Sequence, residues 1–199
     1  MINLATTPPP KHLTINGTAY PVKYDFKVWI LVSEILEKTE LALSENENPK
    51  DTVLRIVEIC KLIFDTIPNE PVDAIFCAVL EFYKGYPKAD VQSFGGGSEE
   101  RERSRTFSFA YDLNMIILAI RNQSGIDLSY RRKEAFHWWE FLLEFQSLEE
   151  KHYISKIMGY RGYNGDNKEL LRLKALYALP EVLSEKEEKE LEDFNLLFK

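Results

Sequence analysis

Apolar residues change period several times along this chain, and each change marks an element. Residues His12 to Lys23 alternate apolar and polar around Asn16-Gly17, a pair that tolerates the positive φ angles of a two-residue turn, so a small β-hairpin is expected there. Ahead of it, Thr6-Thr7-Pro8-Pro9-Pro10 reads as an extended leader, because proline lacks the N–H that a helix or central strand needs. Phe26, Trp29, Ile30 and Leu36 then recur at helical spacing behind Asp25, a plausible N-cap, and predict a helix to about Glu40. A Ser-Glu-Asn-rich loop leads to Pro49. From Asp51 to Asp65 nearly every non-polar position is Val, Leu or Ile, and Asp51, Arg55, Glu58, Lys61 and Asp65 form a narrow polar stripe. That helix is expected to be largely buried. Pro71 opens another, whose face carries Val72, Ile75, Phe76, Val79, Leu80 and Tyr83 up to Gly85.

Residues 86–105 have no hydrophobic face and contain Gly95-Gly96-Gly97 and the charge-mixed run Ser98 to Arg105, so they read as a flexible linker. The expected organisation is therefore an N-terminal hairpin plus helical lobe over 1–85, the linker over 86–105, and a C-terminal helical lobe over 106–199. In the last of these, Phe109, Leu113, Ile116, Ile117 and Ile120 predict a helix that stops near Ser124-Gly125. A second carries Phe136, Trp138, Trp139, Phe141, Leu142, Leu143 and Phe145. Further helices are expected at Glu149 to Met158, Lys168 to Leu179, and Ser184 to about Leu197, the last opening on a capping-box spacing. No internal repeat is visible. The fold class is mainly α: a multi-helix, bundle-like domain with a small N-terminal β-hairpin and a flexible mid-chain linker.

Composition narrows the function classes. The 199 residues are 45% hydrophobic and 13% aromatic, enough apolar material for a real core. Net charge is −7, and the densest basic cluster, Arg101, Arg103 and Arg105, is interleaved with Glu99, Glu100 and Glu102, which argues against nucleic-acid binding. Cys60 and Cys77 sit in apolar helical patterns and read as small hydrophobes. With no signal peptide and no apolar run of membrane-spanning length, the expected location is the cytoplasm, with no membrane partner.

Catalytic chemistry leaves little trace. His137 has no His or Cys at metal-ligand spacing, no nucleophile elbow or phosphate loop is present, and Gly95-Gly96-Gly97 is followed by acidic residues. Asp112 and Asp127 are the carboxylates that could pair with His137 in acid–base work. Asp127 in Gly125-Ile126-Asp127-Leu128 reads better as a turn or N-cap residue. No catalytic, cofactor-binding or metal-binding residue is assigned, and no cofactor is expected. The most unusual block is Phe136-His137-Trp138-Trp139-Glu140-Phe141, which places large rings all round a helix. Either that helix is central to its lobe, or one side is an interaction surface rich in hot-spot residue types. The acidic C-terminal helix poses the same choice through Leu191, Phe194 and Leu197, which dock on the protein's own body or on a partner. The partner-binding candidates are thus His137, Trp138, Phe141, Leu191, Phe194 and Leu197.

These motifs also form a series. Asp25-Phe26-Lys27-x-Trp29, Phe109-Ala110-Tyr111-Asp112, Ile116 to Ile120, Ser124-Gly125-Ile126-Asp127-Leu128, His137-Trp138-Trp139-x-Phe141, and Ile157 with Arg161 resemble, in this order, a bacteriophage family. Its members are encoded between the major tail protein and tape-measure genes of long-tailed, non-contractile phages and prophages of Gram-positive hosts. Ser124 stands where many members have Tyr. The resemblance implies a non-catalytic tail assembly chaperone that holds the tape-measure protein in the cytoplasm of an infected or lysogenic host. The tail tube protein and a second copy of the chain are further expected partners. The alternative is a tail-completion or connector subunit retained in the virion.

Overall fold

A computed structural model describes residues 7–44, 49–86, 105–130 and 132–180. The bulk of the expected linker and the whole expected C-terminal helix, with Leu191, Phe194 and Leu197, lie outside the described residues.

Two strands, β1 (His12–Ile15) and β2 (Thr18–Pro21), pair antiparallel with His12 opposite Pro21 and Ile15 opposite Thr18. Asn16 at φ 48° and Gly17 at φ 82° make the turn, as that dipeptide dictates. Leu13 and Ile15 point into the core and Thr14 out, so the alternation along β1 sets which face is buried. Tyr20 and Asn16 both donate to the Glu70 carboxylate, at 2.8 and 2.9 Å, and tie the hairpin to the turn ahead of the third helix. These two hydrogen bonds hold the Glu70 carboxyl below its usual range.

Helix α1 (Phe26–Ser44) begins behind Asp25, whose carboxylate accepts the Lys27 N–H at 2.9 Å and so caps the first turn. Helix α2 (Pro49–Ile63) is less buried than its sequence predicts. Ile56, Ile59, Cys60 and Ile63 form its inner face, while Leu54 is 65% exposed and Val53 42%. Arg55, expected on the polar stripe, is buried. The run of aliphatic residues hid an ordinary amphipathic helix, because composition alone does not say which aliphatic face is the inner one. Burial raises the pKa of the Cys60 thiol above its ordinary value, in keeping with a small hydrophobe.

Helix α3 (Val72–Tyr83) buries Ile75, Ala78, Val79 and Phe82. Helix α4 (Phe109–Ser124) stops at Gly125, whose φ of 74° is the left-handed conformation of a helix C-terminus. Helix α5 (Trp138–Gln146) carries the aromatic block. Helix α6 (Tyr153–Arg161) starts later than expected: the Glu149 N–H goes to the Gln123 side chain and the His152 N–H to the Glu149 carbonyl, so 149–152 is a turn. Helix α7 (Lys168–Leu176) is capped by the Asn167 side chain, which accepts from the Glu169 and Leu170 N–H groups.

The segments expected as two lobes share one hydrophobic cluster, which runs from Leu13 and Ile15 to Ile154 and draws on β1 and α1 to α6. Backbone hydrogen bonds join them too. Phe26 N–H donates to the Phe136 carbonyl and Trp138 N–H to the Tyr24 carbonyl, both at 2.8 Å. The two ends of the expected linker are anchored: Tyr86 meets Trp139 edge-on at 4.9 Å, and the Arg105 guanidinium pairs with Glu37 of α1 at 2.7 Å.

Candidate functional site

The aromatic block settles into the middle of this shared core. Trp138 and Phe141 have no exposed surface and His137 is 4% exposed. Trp29 stacks on Phe82 at 4.5 Å, Phe26 on Phe141 at 4.9 Å, and Trp138 lies against Tyr83 at 5.4 Å and Phe141 at 5.6 Å. Adjacent indoles also solve a polar problem. The last carbonyls of a helix lack the regular intrahelical partner, and at the end of α3 Trp139 Nε1 donates at 2.8 Å to the Phe82 carbonyl, which also takes the Gly85 N–H, and Trp138 Nε1 to the Tyr83 carbonyl at 2.9 Å. Two neighbouring tryptophans on α5 therefore cap α3 and fill the space beside it. Rings all round the helix are needed because α5 is surrounded by α1, α3 and α4.

His137 is the N-cap of α5. Its Nδ1 accepts the Trp139 N–H at 3.0 Å, so the neutral ring carries its proton on Nε2 and donates it to the Pro10 carbonyl at 2.8 Å. Stacking on Tyr24 at 5.2 Å completes the setting. The imidazole thus staples the proline leader to the start of α5. Burial lowers its pKa below the ordinary value, more than the Pro10 carbonyl and Glu140 raise it.

A pH dependence follows. A folded-state pKa below the unfolded one means that the unfolded chain binds more protons, so this contribution is present above the unfolded value, about 6.5, and is lost as pH falls through the folded one. Protonation at Nδ1 also removes the acceptor that caps α5. Melting temperature is therefore expected to fall as the pH drops below about 6.5, and His137→Asn, which keeps a capping oxygen without a titrating ring, to flatten that slope. Parallel pH profiles for the two proteins would exclude the assignment.

The three groups weighed for acid–base chemistry are not assembled into one site. Asp112 is buried in the first turn of α4 and is held by Arg161, whose Nη1 and Nη2 donate to its two oxygens at 2.5 and 3.1 Å. Its Oδ2 also accepts the Ser108 N–H at 3.0 Å. Asp127 accepts the Ser129 N–H in a turn. Arg161, at the end of α6, is 8% exposed and donates further to the Thr106 and Tyr177 carbonyls. One guanidinium thereby binds α4, the segment before it, α6 and the end of α7. Sequence reasoning placed both partners in its motif series without seeing that they meet. Among the described residues, no three His, Cys, Asp or Glu side chains are grouped to hold a metal, and no helix is long and apolar enough to cross a membrane.

What lies at the surface was not singled out from the sequence. A cavity of about 340 Å³ runs between α1 and α2, with Leu31, Ile35 and Leu62 as its apolar lining and Glu34, Lys38 and Glu58 as charges of both signs. Leu31 is half exposed, and Leu54 on α2 more so. Tyr111 and Leu118 stand two turns apart on the outer face of α4 and are likewise more than half exposed. Exposure of single aliphatic residues has no signature in a sequence, because an inner and an outer leucine look alike.

The sequence model of a family described as "Bacteriophage Gp15 protein" matches residues 9–179. The chain belongs to that family. The matched span runs from the proline leader to the end of α7 and so takes in the hairpin and all the described helices. No curated protein and no solved structure matches the chain. Membership in the Gp15 family establishes the phage origin that the motif series implied and supports a structural or assembly role.

Proposed function

We propose that the chain is a tail assembly chaperone that binds the tape-measure protein while a long non-contractile tail is built, acting by contact and not by catalysis, in the cytoplasm of the host. The observation that carries this reading is the bacteriophage Gp15 family match over nearly all of the described chain. The surface is suited to the work. A tape measure is a long helical chain with apolar stripes, and the α1–α2 cavity sets Leu31, Ile35 and Leu62 among Glu34, Lys38, Arg55 and Glu58, a mixed lining suited to an amphipathic helix. Each contact is small, so many copies side by side would hold the client by multivalency while single contacts stay displaceable. His137, Trp138 and Phe141 then support binding from the core by fixing the helices that carry the surface.

Co-expression with the tape-measure protein of the same phage tests the proposal. The pair is expected to co-purify and the tape measure to gain solubility. Leu31→Glu, at a half-exposed position, should change the unfolding free energy by less than about 1 kcal/mol and weaken the complex at least about ten-fold. An insoluble tape measure with no complex would refute the chaperone reading. Mass spectrometry of purified particles separates it from the tail-completion or connector alternative. A chaperone is absent from the virion, whereas stoichiometric presence would favour the retained subunit.

A further inference from the structure

A second cavity, of about 420 Å³, is lined by His12, Leu13 and Thr14 of β1, by Ala78 and Phe82 of α3, and by Trp139. Successive residues of a strand point to opposite faces, so a space that touches all three of these β1 residues runs along the strand's edge. No residue of β2 lines it; it follows the edge that β2 leaves open. The ladder fixes what that edge presents. Val22 N–H donates to the Lys11 carbonyl, which makes Lys11–Val22, Leu13–Tyr20 and Ile15–Thr18 the hydrogen-bonded pairs and turns the N–H and C=O of His12 and Thr14 away from β2, toward the cavity. Pro21, without an N–H, sits in a non-bonded pair, as this register requires.

We infer that this edge receives residues 1–6 of a second copy of the chain as an added antiparallel strand. Those residues, Met1-Ile2-Asn3-Leu4-Ala5-Thr6, lie outside the described residues and join the described chain at Thr7, three residues before Pro10, which itself lines the cavity. Ile2 and Leu4 have the alternation of a strand with one apolar face. In the register that sets Leu4 opposite Leu13 and Ile2 opposite Ile15, that face falls on the core side, above Ala78 and Phe82. Ala5 and Asn3 then meet His12 and Thr14 as the hydrogen-bonded pairs.

The occupant belongs to another copy because of the prolines. Pro8-Pro9-Pro10 favour an extended conformation of about 3.1 Å per residue, and no glycine occurs in Met1 to Lys11. A leader so stiffened resists the reversal that would fold residues 1–6 back onto their own β1. Two leaders related by a two-fold axis would pass each other antiparallel, each entering the other's groove, which is the self-complementary geometry of a closed dimer. Prolines fall at the centre of the crossing, where no ladder is made.

Light scattering on the full chain across a concentration series, with amide exchange at His12 and Thr14, tests this. The wild type is expected to dimerise with both amides protected. Leu4→Asp, outside the described core, should raise the dissociation midpoint by about a hundred-fold or more, since each dimer loses two buried leucines, and should speed exchange at His12 and Thr14. A monomer at every concentration would overturn the inference, as would protection in the monomer, or a dimer indifferent to Leu4→Asp. Capture of some other extended peptide by a non-dimerising chain would overturn it as well.

Discussion

Asp112→Ala is expected to destabilise the chain by about 3–5 kcal/mol. Asp112 is 1% exposed and Arg161 8%, so the alanine would leave a guanidinium in the interior without its counter-charge. The carboxylate also sits in the first turn of α4, where the helix dipole favours negative charge, and it takes the Ser108 N–H that would otherwise be orphaned. Because Arg161 reaches Thr106 and Tyr177 as well, the loss should spread to α6 and α7, which ought to exchange amide protons sooner than α1 or α3. The double variant Asp112→Leu with Arg161→Met removes both charges and should recover much of the loss. Chemical denaturation of the single and double variants reads the coupling. Additive losses would mean that the ion pair does not hold these helices together.

Trp138→Ala should cost a similar amount, about 3–5 kcal/mol, by opening a cavity where α1, α3, α4 and α5 converge. The ring contacts Trp29, Tyr83, Phe109 and Phe141, so no neighbouring side chain can fill the space without leaving another contact. Trp138→Phe keeps much of the apolar volume but takes away the indole N–H and leaves the Tyr83 carbonyl without that donor, at about 1–3 kcal/mol. The difference between the two variants separates packing from capping. If the alanine variant melts like the wild type while losing a binding partner, α5 is a surface helix and its placement in the core is wrong.

Much of the architecture could be read in advance because local chemistry specifies it. Asn16-Gly17 demanded a tight hairpin, Asp25 a helix start, and Gly125 a helix end, and each acts there through its own backbone or side chain. Two kinds of information were not local. The neighbours of Trp138 lie far off along the chain, on α1 and α3, so the sequence left open whether the aromatic block was core or interface. The meeting of Asp112 with Arg161 depends likewise on how α4 and α6 cross, which no spacing encodes. The start of α6 was misplaced for a different reason: Glu149 and His152 suit a helix by composition, but a side chain from α4, Gln123, takes the Glu149 N–H and stabilises a turn. Of the partner-binding candidates, those on α5 are core residues, and the exposed leucines of α1, α2 and α4 had no mark to distinguish them.

All three tryptophans of the chain are buried, Trp29 and Trp138 fully and Trp139 at 7% exposure, and every one donates its indole N–H to a backbone carbonyl. Iodide quenching of tryptophan fluorescence in the native 199-residue chain therefore tests most directly whether the rings of the two halves form one core. The account predicts emission that iodide scarcely reaches until denaturant unfolds the chain in a single cooperative step. Ready quenching under native conditions, or an early step in which α5 exposes its indoles while α1 stays folded, would contradict it.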